Sequence, residues 1–148
     1  MSVARLTRGQ RFPPEWRGRY PHMREVEVPL WNRFLDLYGK LFVGFEYDVR
    51  VGPPSQAAAG FDAQTQAVFA DLTRMRIDAV GYRVGEVWLL EVMPYAGVSA
   101  LGKLLSYAEL FFVDRAPVEP IRLGVVTDRF TPAMGEVFRA EEVLVWIV

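Results

Sequence analysis

The run Val87-Trp88-Leu89-Leu90-Glu91-Val92-Met93 carries a carboxylate in the middle of an otherwise apolar segment, bounded by Gly85 and Pro94. Its length and end residues suit a strand, and its apolarity on both faces suits one covered on both sides of a sheet. An ionised glutamate in such a place costs several kcal/mol unless a partner stands beside it, or it takes up a proton. The fold must therefore supply Glu91 with a cation, a proton or a function.

The hairpin before it supplies a candidate neighbour. Arg74–Arg83 and Glu86–Met93 read as two strands joined at Val84-Gly85. With those two residues central to the turn, Arg83 faces Glu86 and opposite positions sum to 169, so Asp78 lies across from Glu91 and Arg76 across from Met93. Directly opposed Cβ atoms are about 5 Å apart, which makes the two acids a like-charge pair that calls for a cation. A four-residue turn keeps this register. A three-residue loop would set Asp78 against Leu90 and separate the acids, and Val84 is ill suited to the positive φ of a tight primed turn. In the plainer alternative, Arg76 neutralises both acids in an ion-pair network.

Around this hairpin the spacing predicts a mixed α/β fold (α+β, mixed sheet). A helix spans Pro29 to about Lys40, on Leu30, Trp31, Phe34, Leu35, Leu37 and Tyr38. A strand runs from Phe42 to Val51, with Phe45, Tyr47, Val49 and Val51 on one face and Glu46, Asp48 and Arg50 on the other. Residues 53–60 form a loop, and 62–72 suit either a short helix or the start of the next strand. A helix opening at Gly97 or Ser99 runs to about Val113. Ile121–Thr127 is a central strand, Thr131-Pro132 opens a helix to about Glu141, and Val143–Val148 is a last strand. The order predicts an antiparallel meander, then a strand reached by a helical crossover, with helices on both faces.

Composition narrows the chemistry. The 148 residues contain no Cys and one His, which excludes thiol nucleophiles, thiolate zinc sites and disulfides and leaves carboxylates to do the work. Residues 1–24 hold six Arg (Arg5, Arg8, Arg11, Arg17, Arg19 and Arg24) and one acid, a net +5, while the remaining 11 basic and 17 acidic residues give −6. Residues 1–28 therefore read as a basic aromatic arm and 29–148 as the domain. Phe12, Trp16 and Tyr20 alternate with arginines in the arm, so it is expected to dock on its own body or on a partner such as DNA or an acidic protein surface. No signal-peptide pattern or membrane-length apolar run appears, which points away from secretion and membranes.

Asp78, then Glu91-Val92-Met93, then a helix carrying Lys103-Leu104-Leu105-Ser106-Tyr107 resembles the PD-(D/E)XK nuclease superfamily. The runs Arg76–Gly81, Leu90–Pro94 and Ser99–Tyr107 are together similar to small bacteriophage-encoded members, over about residues 41–128. The resemblance implies a restriction-endonuclease-like αβββαβ core, here followed by an extra helix and strand, with Mg²⁺ or Mn²⁺ held by Asp78, Glu91 and the backbone carbonyl of Val92. The family lysine, two residues after the glutamate, is replaced by Met93, which keeps the length and loses charge and donor. Many relatives carry Gln-x-x-x-Tyr on the next helix, where this chain has Lys103-x-x-x-Tyr107. Residues i and i+4 share a face, so Lys103 and Tyr107, with Ser99, suit one pocket and return the ammonium from another element. Glu25 or Glu27 fits the auxiliary acid of some relatives; Glu46 and Asp48 fit a solvated strand face better than a ligand set, and His22 fits arm docking better than a ligand.

Met93 and the acidic body favour a nuclease-fold protein without catalysis, serving as a structural or binding module, for example in the head-tail or neck region of a virion. In that role Arg5, Arg8, Arg11, Arg17, Arg19 and Trp16 would meet DNA or phage structural proteins, no cofactor would be needed, and oligomers are possible. The alternative is a Mg²⁺-dependent nuclease using relocated Lys103. Host cytoplasm or virion is the expected location.

Overall fold

The computed structural model describes residues 9–54 and 60–148, without the side chains of 69–72. Arg5 and Arg8 lie outside the described residues. Its elements are α1 (Val28–Tyr38), a 3₁₀ turn (Gly39–Leu41), β1 (Gly44–Val51), α2 (Ala63–Thr73), β2 (Met75–Arg83), β3 (Glu86–Val92), β4 (Tyr95–Ala96), α3 (Val98–Arg115), β5 (Ile121–Thr127), β6 (Arg129–Phe130), α4 (Pro132–Ala140) and β7 (Val143–Ile147). One five-stranded sheet has the order β1-β2-β3-β5-β7, and β4 pairs with β6 separately. β1, β2 and β3 form the antiparallel meander, while β5 and β7 join in parallel after helical crossovers. Among the described residues, no helix is long and apolar enough to cross a membrane.

Segment 62–72, which periodicity leaves undecided, is a helix because Asp62 caps it: its carboxylate accepts from the backbone N–H of Thr65 at 2.8 Å and from the Thr65 hydroxyl at 3.0 Å. α4 starts the same way, with Thr131 accepting from Met134 N and Pro132 in the first turn.

Two apolar clusters sandwich the sheet. Trp88, Leu90 and Val92 of β3 point to one, with α1 and the arm; Val87 and Leu89 point to the other, with α3 and Phe138 of α4. β1 does not keep the single face that its alternation predicts. Phe45 and Tyr47 enter the first cluster, but Val49 and Val51 enter the second. The switch lies at Asp48, which adopts φ +55° inside the strand. Aspartate tolerates that conformation better than most residues, and here Arg76 of β2 grips its carboxylate with two bonds, at 2.5 and 2.7 Å.

The arm from Arg11 onward packs on the body. Phe12 exchanges two backbone hydrogen bonds with Phe45, covering the outer edge of β1, and Phe12, Tyr20 and Met23 are buried. Arg11 stacks over the Tyr82 ring at 3.7 Å, and Arg17 pairs with Asp36 at 2.7 Å. Trp16 packs against Phe12, Tyr20 and Tyr47. Arg19 stays exposed.

Close packing of β3, β5 and β7 leaves no room at Gly124. A Cβ there would lie 2.8 Å from Leu90 Cδ2 and 2.9 Å from Trp146 Nε1. Gly124→Val is therefore expected to cost about 1–3 kcal/mol through overpacking, read as a lower urea midpoint with unchanged slope.

Candidate active site

The hairpin takes the register that unites the acids. Arg83 faces Glu86 and Ala79 faces Leu90, with every intervening pair summing to 169; the ladder ends there, and the same register carried one step further brings Asp78 to Glu91, where Val92 N bonds the Asp78 carboxylate. The difficulty at Val84 is resolved by the turn type. Only Gly85 carries positive φ (+81°), the pattern of a type II turn, whose first central residue keeps negative φ. Glu91 shares its face with Leu89 and looks toward α3, and Asp78 stands where β2 changes face, with Ile77 and Val80 both in the α3 cluster and Ala79 in the other. Both acids are buried, at 4% exposure.

α3 completes the site. Its core face is Ala100, Leu104, Tyr107 and Phe111, which lays the helix over β3 and brings one turn of it above Glu91. Lys103 Nζ lies 3.1 Å from Glu91 Oε1, and the Tyr107 hydroxyl donates to Oε2 at 3.2 Å. On the other acid, Val92 N donates to Asp78 Oδ2 at 2.8 Å, leaving Oδ1 facing His22, whose Nε2 is 4.0 Å away. A cleft of about 560 Å³ opens over the pair, lined also by Met93 and Ser99 and, from the arm side, by Arg24 and Glu27. Glu27 is buried and clasps Arg24 through both the backbone N–H (2.8 Å) and the guanidinium (2.7 Å).

Electrostatics follow from this burial. Desolvation, reinforced by the Glu91 charge, holds Asp78 well above the usual carboxylate range. Desolvation also raises Glu91, against the opposing pull of Lys103 and Tyr107. The same burial, with the neighbouring carboxylates, keeps the Tyr107 hydroxyl protonated and so a donor. His22 is lowered by burial and then by the Arg76 charge, which favours neutral imidazole.

No family model, curated protein or solved structure matches this chain. Residue chemistry alone must then say what the cleft can hold. Two adjacent carboxylates that resist ionisation together gain most from a small divalent cation placed between them. Such a cation takes one or two carboxylates and fills its remaining positions with water and phosphate oxygens. Among the described residues no group of three His, Asp or Glu side chains is placed to hold a metal ion, so the side-chain donors on offer are the two acids, Asp78 and Glu91. That set fits an open, substrate-accepting site better than a closed structural one.

The remaining sequence candidates are dispersed. Glu46 is buried under Arg115 and Tyr82, Asp48 is paired with Arg76 and Arg50, and Glu25 borders a separate small cavity. Sequence reasoning assigned His22 to arm docking; the fold makes it a wall of the cleft as well. Its signal was only its singularity, since its proximity to Asp78 depends on how the arm crosses the sheet.

Proposed function

We propose that the protein is a divalent-metal-dependent phosphodiesterase acting on DNA, a PD-(D/E)XK-like nuclease whose lysine has moved from the position of Met93 to Lys103. The observation that carries this reading is the Lys103 ammonium at 3.1 Å from a buried Glu91, beside Asp78, at an open cleft. A divalent cation bound by Asp78, Glu91 and the Val92 carbonyl would supply Lewis acidity and a more acidic water. Lys103 stands where it can balance charge on an incoming phosphate, Tyr107 fixes the second oxygen of Glu91, and Val92 N fixes Asp78. Arg24 and His22 at the rim supply positive and polar contacts for a polyanion that the net-acidic body would otherwise repel.

A second reading, a nuclease-like binding or virion module without catalysis, is supported by Met93, which fills the family lysine position on the cleft wall. Incubating supercoiled plasmid with the protein and Mn²⁺ or Mg²⁺ separates the two. The first reading expects nicking that falls about 10²-fold or more in Lys103→Ala and is not improved by Met93→Lys. Cleavage absent from the wild type and gained only in Met93→Lys would reject it in favour of the second.

A further inference from the structure

We infer that α3 is the seam of a two-fold symmetric dimer, in which two copies of this chain pack these helices antiparallel. Val98, Leu101, Leu105, Ala108 and Phe112 recur at spacings of three, four, three and four along α3, the repeat of a helix that expects a second helix against it. They form a stripe about 21 Å long on a flank of the helix. The buried core positions and Lys103 lie on other sides of α3, so the seam leaves the cleft open. Val98, Leu105 and Phe112 are 74%, 39% and 58% exposed, while Leu101 and Ala108 are only partly buried against the core. The stripe itself contains no charge, unlike an ordinary solvated helix face.

Two further features select a second copy, and the antiparallel direction, as the occupant. Gly102 is exposed inside an 18-residue helix, where glycine is unfavourable, and a Cβ there would meet nothing within 4 Å. Nothing among the described residues requires a glycine at that place. Val98, Leu101, Gly102 and Leu105 (i, i+3, i+4, i+7) bound one hole of the kind that receives a knob, and the missing side chain deepens it. The exposed aromatic of α3 itself, Phe112, lies ten residues further on. An antiparallel partner centred between residues 106 and 107 drops its Phe112 into this hole, receives the reciprocal Phe112, and lays each Leu105 on the other copy's Ala108. That pairing is self-complementary, as a two-fold interface must be. It also sets Glu109 across from Gly102 of the other copy and not against an acid, whereas a parallel pair would bring the two Phe112 rings into collision.

A seam of this length falls at the small end of specific interfaces, so the dimer is expected to form in the micromolar range. Sedimentation velocity on the whole chain from about 1 to about 500 µM should show a monomer–dimer equilibrium. Phe112→Glu should abolish it. Gly102→Leu should also abolish it by filling the hole, with a thermal midpoint equal to or above wild type, because the folded monomer has space for the side chain and the helix prefers it. A midpoint held while association is lost separates an interface role from a folding defect. A wild type that stays monomeric at about 500 µM, or a Gly102→Leu chain that dimerises like wild type, would overturn the inference.

Discussion

Asp78→Asn is expected to stabilise the folded chain at neutral pH while reducing metal-dependent cleavage by about 10³-fold. The stability half follows from the direction of the shift. Burial and the Glu91 charge raise the Asp78 pKa in the fold above its unfolded value. Between those two pKa values the native state holds a proton that the unfolded chain has released, so stability falls as pH rises through that window and the penalty is complete above the folded pKa. Below the unfolded pKa both states are protonated and the penalty vanishes. Asparagine is neutral throughout and retains an oxygen for the Val92 N–H, so its advantage should be present at pH 8 and absent at pH 3. The activity half follows from the loss of an anionic ligand. Metal-derived charge stabilisation is worth several kcal/mol, and each 1.36 kcal/mol is a decade in rate. Urea titrations of wild type and variant at the two pH values, beside a nicking assay, measure both halves. A variant that is less stable than wild type at pH 8, with cleavage retained, would show that Asp78 belongs to a satisfied ion-pair network and carries no functional strain.

The pairing behind this expectation was legible because it depends on local quantities. Turn length fixes register, and register fixes which side chains meet, so the spacing around Val84-Gly85 placed Asp78 opposite Glu91 before any tertiary contact was known. The i, i+4 relation of Lys103 and Tyr107 was equally local, but the face of α3 that lies on β3 was not, because its apolar residues spread beyond one face: Val98, Leu105 and Phe112 stay exposed while Ala100 and Tyr107 are buried. What escaped reading depends on distant parts of the chain. The alternation of β1 predicts one buried face, but the backbone turns over at Asp48, where Arg76, 28 residues away, holds the carboxylate. Periodicity could not separate helix from strand over residues 62–72, although Asp62 with Thr65 three positions later is a capping pattern that would have decided it. The route of the arm was beyond reach for the same reason. Phe12, Trp16 and Tyr20 announce adhesion, but the surface they adhere to is built from α1 and β1, and only that assembly brings His22 and Glu27 to the rim of the cleft.

Trp31→Ala is expected to be the most damaging single substitution in the body of the fold, and to act on the site through the arm. Trp31 is fully buried in α1, stacks on Phe34 at 4.8 Å, meets Tyr20, Phe45 and Tyr47 edge-on, and donates its indole N–H to the Tyr47 hydroxyl at 3.1 Å. Truncating a buried tryptophan costs about 3–5 kcal/mol, a large share of the 5–15 kcal/mol typical of a whole domain. The loss should not be spread evenly. Tyr20 belongs to the arm and rests on Trp31 and Tyr47 at ring distances of 6.5 and 4.8 Å, so the cavity opens where the arm is held. Trypsin should then cleave at Arg17 and Arg19 faster than elsewhere in the chain, before global unfolding. Because His22 and Arg24 follow that contact by two and four residues and line the cleft, DNA affinity should fall in step with arm release, measured on protein that still shows native far-ultraviolet circular dichroism. Trp31→Phe keeps most of the apolar volume and removes only the indole donor. It is expected to cost about 1–2 kcal/mol, leaving the Tyr47 hydroxyl without that donor and the arm in place. Equal proteolysis of the arm in wild type and Trp31→Ala would mean that Phe12 and its two backbone bonds to Phe45 hold the arm without the aromatic box, and the predicted link between box and cleft would fail.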